Sequence, residues 1–244
     1  MANWSDPRMV GTAPTVDLGT RSAAFDAGLR SYMLSVYNYM ASGVLLTGIV
    51  ALLFASSGAA QNIMFGPGLL KWAIILSPLA FILVMNFGLN RMSTFGLQAS
   101  FWGFATAMGL SMSTIFLVYT GASIAQTFFA TAAAFLGLSL YGYTTKKDLS
   151  GFGTFLIMGV VGLLVATIVN IFLQSSTMQL VISAIGVLVF AGLTAYDTQR
   201  IKSMYAYVAG TDMIGKTAIM GALSLYLDFV NMFQFLLSFM GQRD

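Results

Sequence analysis

Long apolar runs separated by short polar or glycine-containing breaks fill the chain from about residue 32 to its end. Each run is close to, or longer than, the roughly 20 residues that a helix needs to cross a bilayer. The pattern predicts an all-α integral membrane protein, a bundle of seven transmembrane helices. The predicted spans are 32–56, 69–90, 97–119, 122–143, 153–174, 178–206 and 215–240.

The first 30 residues differ from the rest, because they contain Pro7, Pro14 and several charges and no apolar run that resembles a signal peptide. We interpret 1–30 as a cytosolic tail and 31–244 as the seven-span transmembrane domain. Across the 244 residues, 58% are hydrophobic and 8% are charged, against about 25% charged in soluble domains. No room is left for a soluble enzyme domain.

Basic residues are distributed unevenly between the two sides of the predicted bundle. One side holds only Lys71 and Arg243. The positive-inside rule therefore predicts a cytosolic amino terminus and an external carboxyl terminus in a multi-pass protein of the cell membrane. The basic residues on the amino-terminal side are Arg8, Arg21, Arg30, Arg91, Lys146, Lys147, Arg200, Lys202 and Lys216.

The residue types that are missing from the sequence limit the kinds of reaction that the protein could carry out. The chain has no cysteine, no histidine and no glutamate, so proton chemistry must depend on aspartate. Motifs of soluble enzymes are also absent from the sequence, and we expect neither an enzyme nor a cofactor. The net charge of +3 comes from scattered basic residues, which membrane orientation explains better than nucleic acid binding.

Two aspartates fall inside predicted spans, Asp197 in the sixth and Asp228 in the seventh. A carboxylate at bilayer depth costs about 2.5 kcal/mol or more, which makes each a candidate functional residue. The alternative is a structural carboxylate that is hydrogen-bonded inside the bundle. Intramembrane aspartyl proteolysis is also compatible with a pair of aspartates, although the flanking motifs do not favour it.

Antiparallel geometry predicts that these two aspartates meet. The midpoint between them falls in the turn bracketed by Gly210 and Gly215, so the two positions should lie at the same depth on helices about 8–10 Å apart. Burial and like charge both oppose double ionisation, so we expect the pair to share one proton over part of the pH range. Such a pair could sense protons in a chain without histidine.

Small and polar residues also form a stripe along the last span. Steps of four and three from Thr217 reach Ser224, Asp228, Asn231 and Ser238. A helix with this stripe needs protein around it, so we expect the last helix to be central and Ser224, Asn231 and Ser238 to line a pathway for a small ion. A packing seam of small residues is the alternative.

Arg91 closes the second span on the amino-terminal side, toward which Asp197 leans. Its guanidinium could pair with a carboxylate of the aspartate pair and hold a gate closed until a proton is taken up. It could equally extend to the lipid headgroups as an ordinary positive-inside residue.

Three segments carry a resemblance to a known family. They are Tyr196-Asp197-Thr198, the run ALSLYLDFVNMF at 222–233, and TKKDLS at 145–150. In these segments the chain closely resembles the Bax inhibitor-1 family of transmembrane proteins, and its short loops resemble those of a bacterial, inner-membrane member. The resemblance implies seven helices with the last one central, and a calcium leak whose opening depends on pH.

In that family a pair of aspartates acts as the proton sensor, and the matching residues here are Asp197 and Asp228. The family arginine that engages the pair is similar in position to Arg91. Because tight calcium sites need six to eight oxygens, two carboxylates imply weak or transient calcium contact, which suits a transported ion. The alternative is a regulatory or scaffold protein that acts on a partner such as a membrane-bound protease. The sequence leaves the oligomeric state open.

Overall fold

The computed structural model describes residues 18–243, with side chains from Ala23 onward. Within this range the structure is helical, and the single strand-like pairing is an antiparallel bridge between Tyr119 and Arg243. The helices are α1 (Leu18–Ser56), α2 (Ala59–Met64), α3 (Leu70–Gly88), α4 (Thr94–Met112), α5 (Ile115–Val118), α6 (Gly121–Thr144), α7 (Ser150–Leu173), α8 (Ser176–Val208) and α9 (Met213–Met240).

Seven stretches of helix in the described part of the chain are long and apolar enough to cross a membrane. The seven-span prediction is therefore confirmed. The third span consists of α4 followed by α5, with a break at Ser113 and Thr114. At this break both the amide and the hydroxyl of Ser113 donate to the carbonyl of Leu110, at 3.4 and 2.8 Å, which tightens the last turn of α4.

Helix α1 begins earlier than the sequence indicates. The segment 18–30, assigned to a tail, continues the first transmembrane helix, and residues 1–17 of that tail lie outside the described residues. Helix α8, with 33 residues, is about 50 Å long and exceeds the roughly 30 Å hydrocarbon core. Its Tyr205 ring lies 5.0 Å from that of Phe25 and 5.4 Å from that of Tyr32, so the extended ends of α1 and α8 support each other.

Helix α9 is the centre of the bundle, as predicted. It packs against α1, α4, α6 and α8, while α3 lies outside α4 and α7 lies outside α8. Its buried residues occur all around the helix rather than on one face. A helix surrounded in this way can carry polar side chains at bilayer depth, because they face protein instead of lipid.

Close approach of the helices depends on glycine at particular points. A Cβ atom on Gly142 of α6 would collide with the backbone carbonyl of Ala195 in α8. A Cβ on Gly109 of α4 would come within 2.8 Å of the carbonyl oxygen of Thr47 in α1. Small residues at such contacts allow membrane helices to pack backbone against backbone.

The carboxyl end of α9 is fastened to the connection between α5 and α6. The amide of Thr120 donates to the carbonyl of Gln242 at 3.1 Å, and the amide of Gln242 donates to the hydroxyl of Ser123 at 2.9 Å. The guanidinium of Arg243 lies 5.6 Å from the centre of the Tyr119 ring. We call this set of contacts the carboxyl-terminal clasp.

Candidate functional site

The site lies between the last two helices, which form the most extensive helix pair of the bundle. They are joined by a tight turn in which Gly210 adopts a left-handed conformation, with φ of 76°. Helix α8 continues beyond Asp197 to Val208, so the turn lies midway between Asp197 and Asp228 in the sequence. Asp197 on α8 and Asp228 on α9 are brought within electrostatic range of each other.

The two carboxylates have different surroundings. Asp228 is 4% exposed, and its Oδ2 atom has no hydrogen-bond partner among the described residues. Asp197 is only half-buried. Most buried polar groups in proteins are hydrogen-bonded, so an unpaired carboxylate oxygen at the centre of a membrane bundle calls for an explanation. A proton on this carboxylate or a cation beside it would offset the cost of burying its charge.

The predicted pathway residues all lie on α9. Ser224 and Asn231 are half-buried on either side of Asp228, and the Asn231 amide donates to the carbonyl of Leu227 at 2.7 Å. Ser238 lies near the far end, where its hydroxyl accepts a hydrogen bond from the Gln179 side chain at 3.1 Å. The side-chain oxygen of Gln179 accepts in turn from the Asn170 amide at 3.2 Å. A polar network therefore links α7, α8 and α9 on the side of the bundle opposite the amino terminus.

Arg91 is not part of the cluster in this structure. It is exposed in the turn after α3, and within residues 18–243 no salt bridge joins it to either aspartate. A basic side chain within electrostatic range of Asp197 is Arg200, one turn further along α8. The Arg91 turn is nevertheless attached to α9, because the ammonium of Lys216 donates to the carbonyl of Leu89 at 3.3 Å.

A chain of hydroxyl groups, which the sequence pattern does not indicate, connects α1, α6 and α8 and includes Thr198, the residue after Asp197. Thr198 donates to the carbonyl of Thr194 at 2.7 Å, which uses its one proton. The 3.0 Å contact between Ser139 and Thr198 must then be donated by Ser139, and the 2.6 Å contact between Tyr37 and Ser139 by Tyr37. Each hydroxyl therefore donates to the next in the order α1, α6, α8, and the last hydroxyl is that of Thr198, which follows Asp197 in the sequence.

The loop between α6 and α7 is held by a side chain of α8. The Gln199 amide donates to the carbonyl of Lys147 at 2.8 Å and accepts from the amide of Leu149 at 2.9 Å. Asp148 in this loop accepts from the amide of Ser150 at 2.9 Å. Side-chain and backbone hydrogen bonds from Ser150 lower the pKa of Asp148, which lies outside the membrane spans. The conformation of the loop is thus tied to the helix that carries Asp197.

Fold and site together define a polytopic membrane protein with seven transmembrane spans, whose last two carry Asp197 and Asp228. The model of the family described as inhibitor of apoptosis-promoting Bax1 matches residues 29–244. The chain belongs to this Bax inhibitor-1 family, as its sequence motifs predict.

Three similar proteins come from bacteria. Protein RP147 of Rickettsia prowazekii (strain Madrid E) is 45% identical over 236 residues, which cover 96% of this chain and 99% of that protein. A Caulobacter vibrioides protein is 44% identical over 95% of this chain and 96% of its own length. The inner membrane protein YbhL of Escherichia coli (strain K12) is 43% identical over 89% of this chain and 94% of its own. The similarity to an inner membrane protein agrees with the seven apolar helices of a multi-pass membrane protein.

Proposed function

We propose that the protein is a proton-gated cation leak of the bacterial inner membrane, with calcium as the transported ion. The observation that carries the proposal is that Asp228, which is buried and lies within electrostatic range of Asp197, has an Oδ2 atom with no hydrogen-bond partner among the described residues. Proteins retain carboxylates at bilayer depth chiefly where they handle ions or protons.

Gating follows from the chemistry of two neighbouring acids. Burial and mutual repulsion both disfavour the doubly ionised pair, so protons and cations compete to neutralise it. The two acids titrate as a unit, and a change in their shared charge alters the force between α8 and α9. Since α9 is also packed against α1, α4 and α6, a change at this contact can reach those helices directly.

The ion path runs along α9. Ser224 and Asn231 provide oxygen atoms on both sides of Asp228, and the Gln179 and Ser238 network lies nearer the opposite side. Two carboxylates are too few for a tight calcium site, which requires six to eight oxygens. Calcium therefore makes weak and transient contact with Asp197 and Asp228, as transport requires.

The decisive experiment is calcium flux into sealed vesicles that contain the purified protein and an entrapped calcium indicator, measured between pH 5 and pH 8. We expect flux that changes with pH, and Asp197→Asn and Asp228→Asn should each flatten the dependence because asparagine cannot exchange a proton. The double variant should show no transition from this site. Asp212→Asn is the matched control, since Asp212 is exposed and makes no capping hydrogen bond.

If both single variants reproduce the wild-type pH profile, the aspartate pair has a structural role only. Vesicles that show no flux at any pH would favour the alternative function, regulation of a partner such as a membrane-bound protease. Cleavage of an added peptide would instead favour an intramembrane aspartyl protease.

A further inference from the structure

A groove on the membrane-facing side separates parts of α1 and α6. Both helices pack on α9, yet a cavity of about 740 Å³ lies between them, with Phe229 of α9 on its floor. Met40 of α1 and Phe135 of α6 are opposite walls. This volume is within the range of about 300–1,000 Å³ that is typical of small-molecule sites.

The groove is open toward the bilayer rather than toward water. Its rim includes Leu34 and Leu45 of α1, which are 51% and 64% exposed, and Leu136 and Leu140 of α6, which are 69% and 63% exposed. The hydroxyls of Tyr37 and Ser139 also line it, but they are paired with each other at 2.6 Å. An apolar chain from the membrane therefore matches the walls, and a water-soluble ligand does not.

The length of the groove agrees with a lipid tail. From Arg30 to Leu45 the axis of α1 advances about 22 Å. Half of the hydrocarbon core measures about 15 Å, so the groove spans one leaflet and its headgroup region. A second cavity of about 410 Å³ shares Val44, Leu45, Phe128 and Phe229 with the first and continues it toward the other leaflet.

Basic side chains at one end of the groove indicate which type of lipid headgroup fits there. Arg30 is the only charged side chain among the described residues that line the groove, and it lies at the amino-terminal mouth. Tyr143 is at the same end, and the ammonium of Lys202 lies 4.7 Å from the centre of its ring. Asp26, one turn before Arg30 on α1, is outside the lining. Two cations at this end of the groove favour an anionic headgroup.

We propose that this groove binds one anionic glycerophospholipid, with its phosphate at Arg30 and an acyl chain along the gap between α1 and α6. The acyl chain would contact Phe229, the residue after Asp228, so the lipid supports α9 at the depth of the acid pair. The site is independent of whether the protein conducts ions. It adds a specific lipid to the partners of the chain.

Native mass spectrometry tests the proposal with detergent-purified protein and an equimolar mixture of phosphatidylglycerol and phosphatidylcholine. The wild-type protein should retain phosphatidylglycerol preferentially. Arg30→Gln should reduce the preference about fivefold, the value expected for one basic residue near a lipid surface. Lys71→Gln, on the opposite side of the bundle, is the charge control and should preserve it.

Two tryptophan substitutions on neighbouring residues of α6 test the groove itself. Ala132 lines the groove, whereas Ala133 is exposed outside its lining. Ala132→Trp should reduce the number of retained lipids, and Ala133→Trp should not. Ala41→Leu fills the groove from α1 and replaces Ala132→Trp if that variant fails to fold. Equal retention of the two lipids by the wild type, or equal lipid loss in the two tryptophan variants, would overturn the proposal.

Discussion

Tyr226 and Thr47 form a buried hydrogen bond of 2.7 Å that joins the central helix α9 to α1. Thr47 gives its own proton to the carbonyl of Ala105 in α4, at 2.8 Å, so Tyr226 is the donor to Thr47. The phenol is packed against Phe104, at 5.0 Å between ring centres. Three helices are therefore fixed to one another two residues before Asp228.

Tyr226→Phe should destabilise the protein modestly, because it removes one buried hydrogen bond and keeps the ring packing. The expected loss is about 0.5–1.5 kcal/mol of unfolding free energy. Thermal unfolding in detergent should show a lower midpoint for this variant and no change for Tyr207→Phe, whose ring is 85% exposed. A wild-type midpoint for Tyr226→Phe would contradict the assigned bond.

Gly142→Ala should destabilise the protein more than Gly137→Ala, a substitution on the same helix. The added methyl group at Gly142 meets the backbone of Ala195, whereas nothing lies within 4 Å of one at Gly137. Forced separation of packed helices costs about 1–3 kcal/mol. Unfolding midpoints of the two variants in the same detergent compare them directly, and matching values would mean that α6 and α8 are further apart than the structure places them.

Arg200 and Arg91 can be distinguished as cationic partners of the acid pair. A cation near a carboxylate favours its ionised form, so removing the effective partner should move the flux profile to higher pH. The structure favours Arg200, which acts on Asp197 from one turn away. Arg200→Gln should therefore shift the calcium flux profile in vesicles, and Arg91→Gln should shift it less. The reverse order would assign the role to Arg91.

The orientation of the chain can be read from reporter fusions. The uneven distribution of basic residues predicts that a reporter before Arg30 and one in the Lys146-Lys147 loop are cytosolic, and that one after Asp244 is external. Alkaline phosphatase and green fluorescent protein are suitable reporters, because they are active on opposite sides of the membrane. A cytosolic reporter at Asp244 would be incompatible with seven complete crossings.

The number of spans and the central position of α9 were predictable because they depend on local properties of the sequence. Each apolar run is long enough to specify its own helix, and the polar stripe around Asp228 requires a protein environment. The early start of α1 was missed, since the charged residues before Arg30 resemble a tail. In the described part of this segment, Phe25 packs against Tyr205, which is distant in sequence.

For the candidate site, the sequence could predict only relationships within the hairpin formed by α8 and α9. The proximity of Asp197 and Asp228 follows from the hairpin that joins their helices, whose turn is short. The hydroxyl chain from Tyr37 to Thr198 combines helices that are far apart in sequence, and serines and threonines in other spans gave no indication which of them meet. The position of Arg91 depends on a turn, where local pattern specifies little.

The carboxyl-terminal clasp restricts how the central helix can move. Two hydrogen bonds attach Gln242 to Thr120 and Ser123, at the beginning of α6, so α9 cannot slide along its axis as a piston unless it breaks both bonds or carries α6 with it. Rotation or tilting of α9 about this fixed end remains compatible with both bonds. A tilt about this end would displace most the far end of α9, where Lys216 meets the turn that carries Arg91.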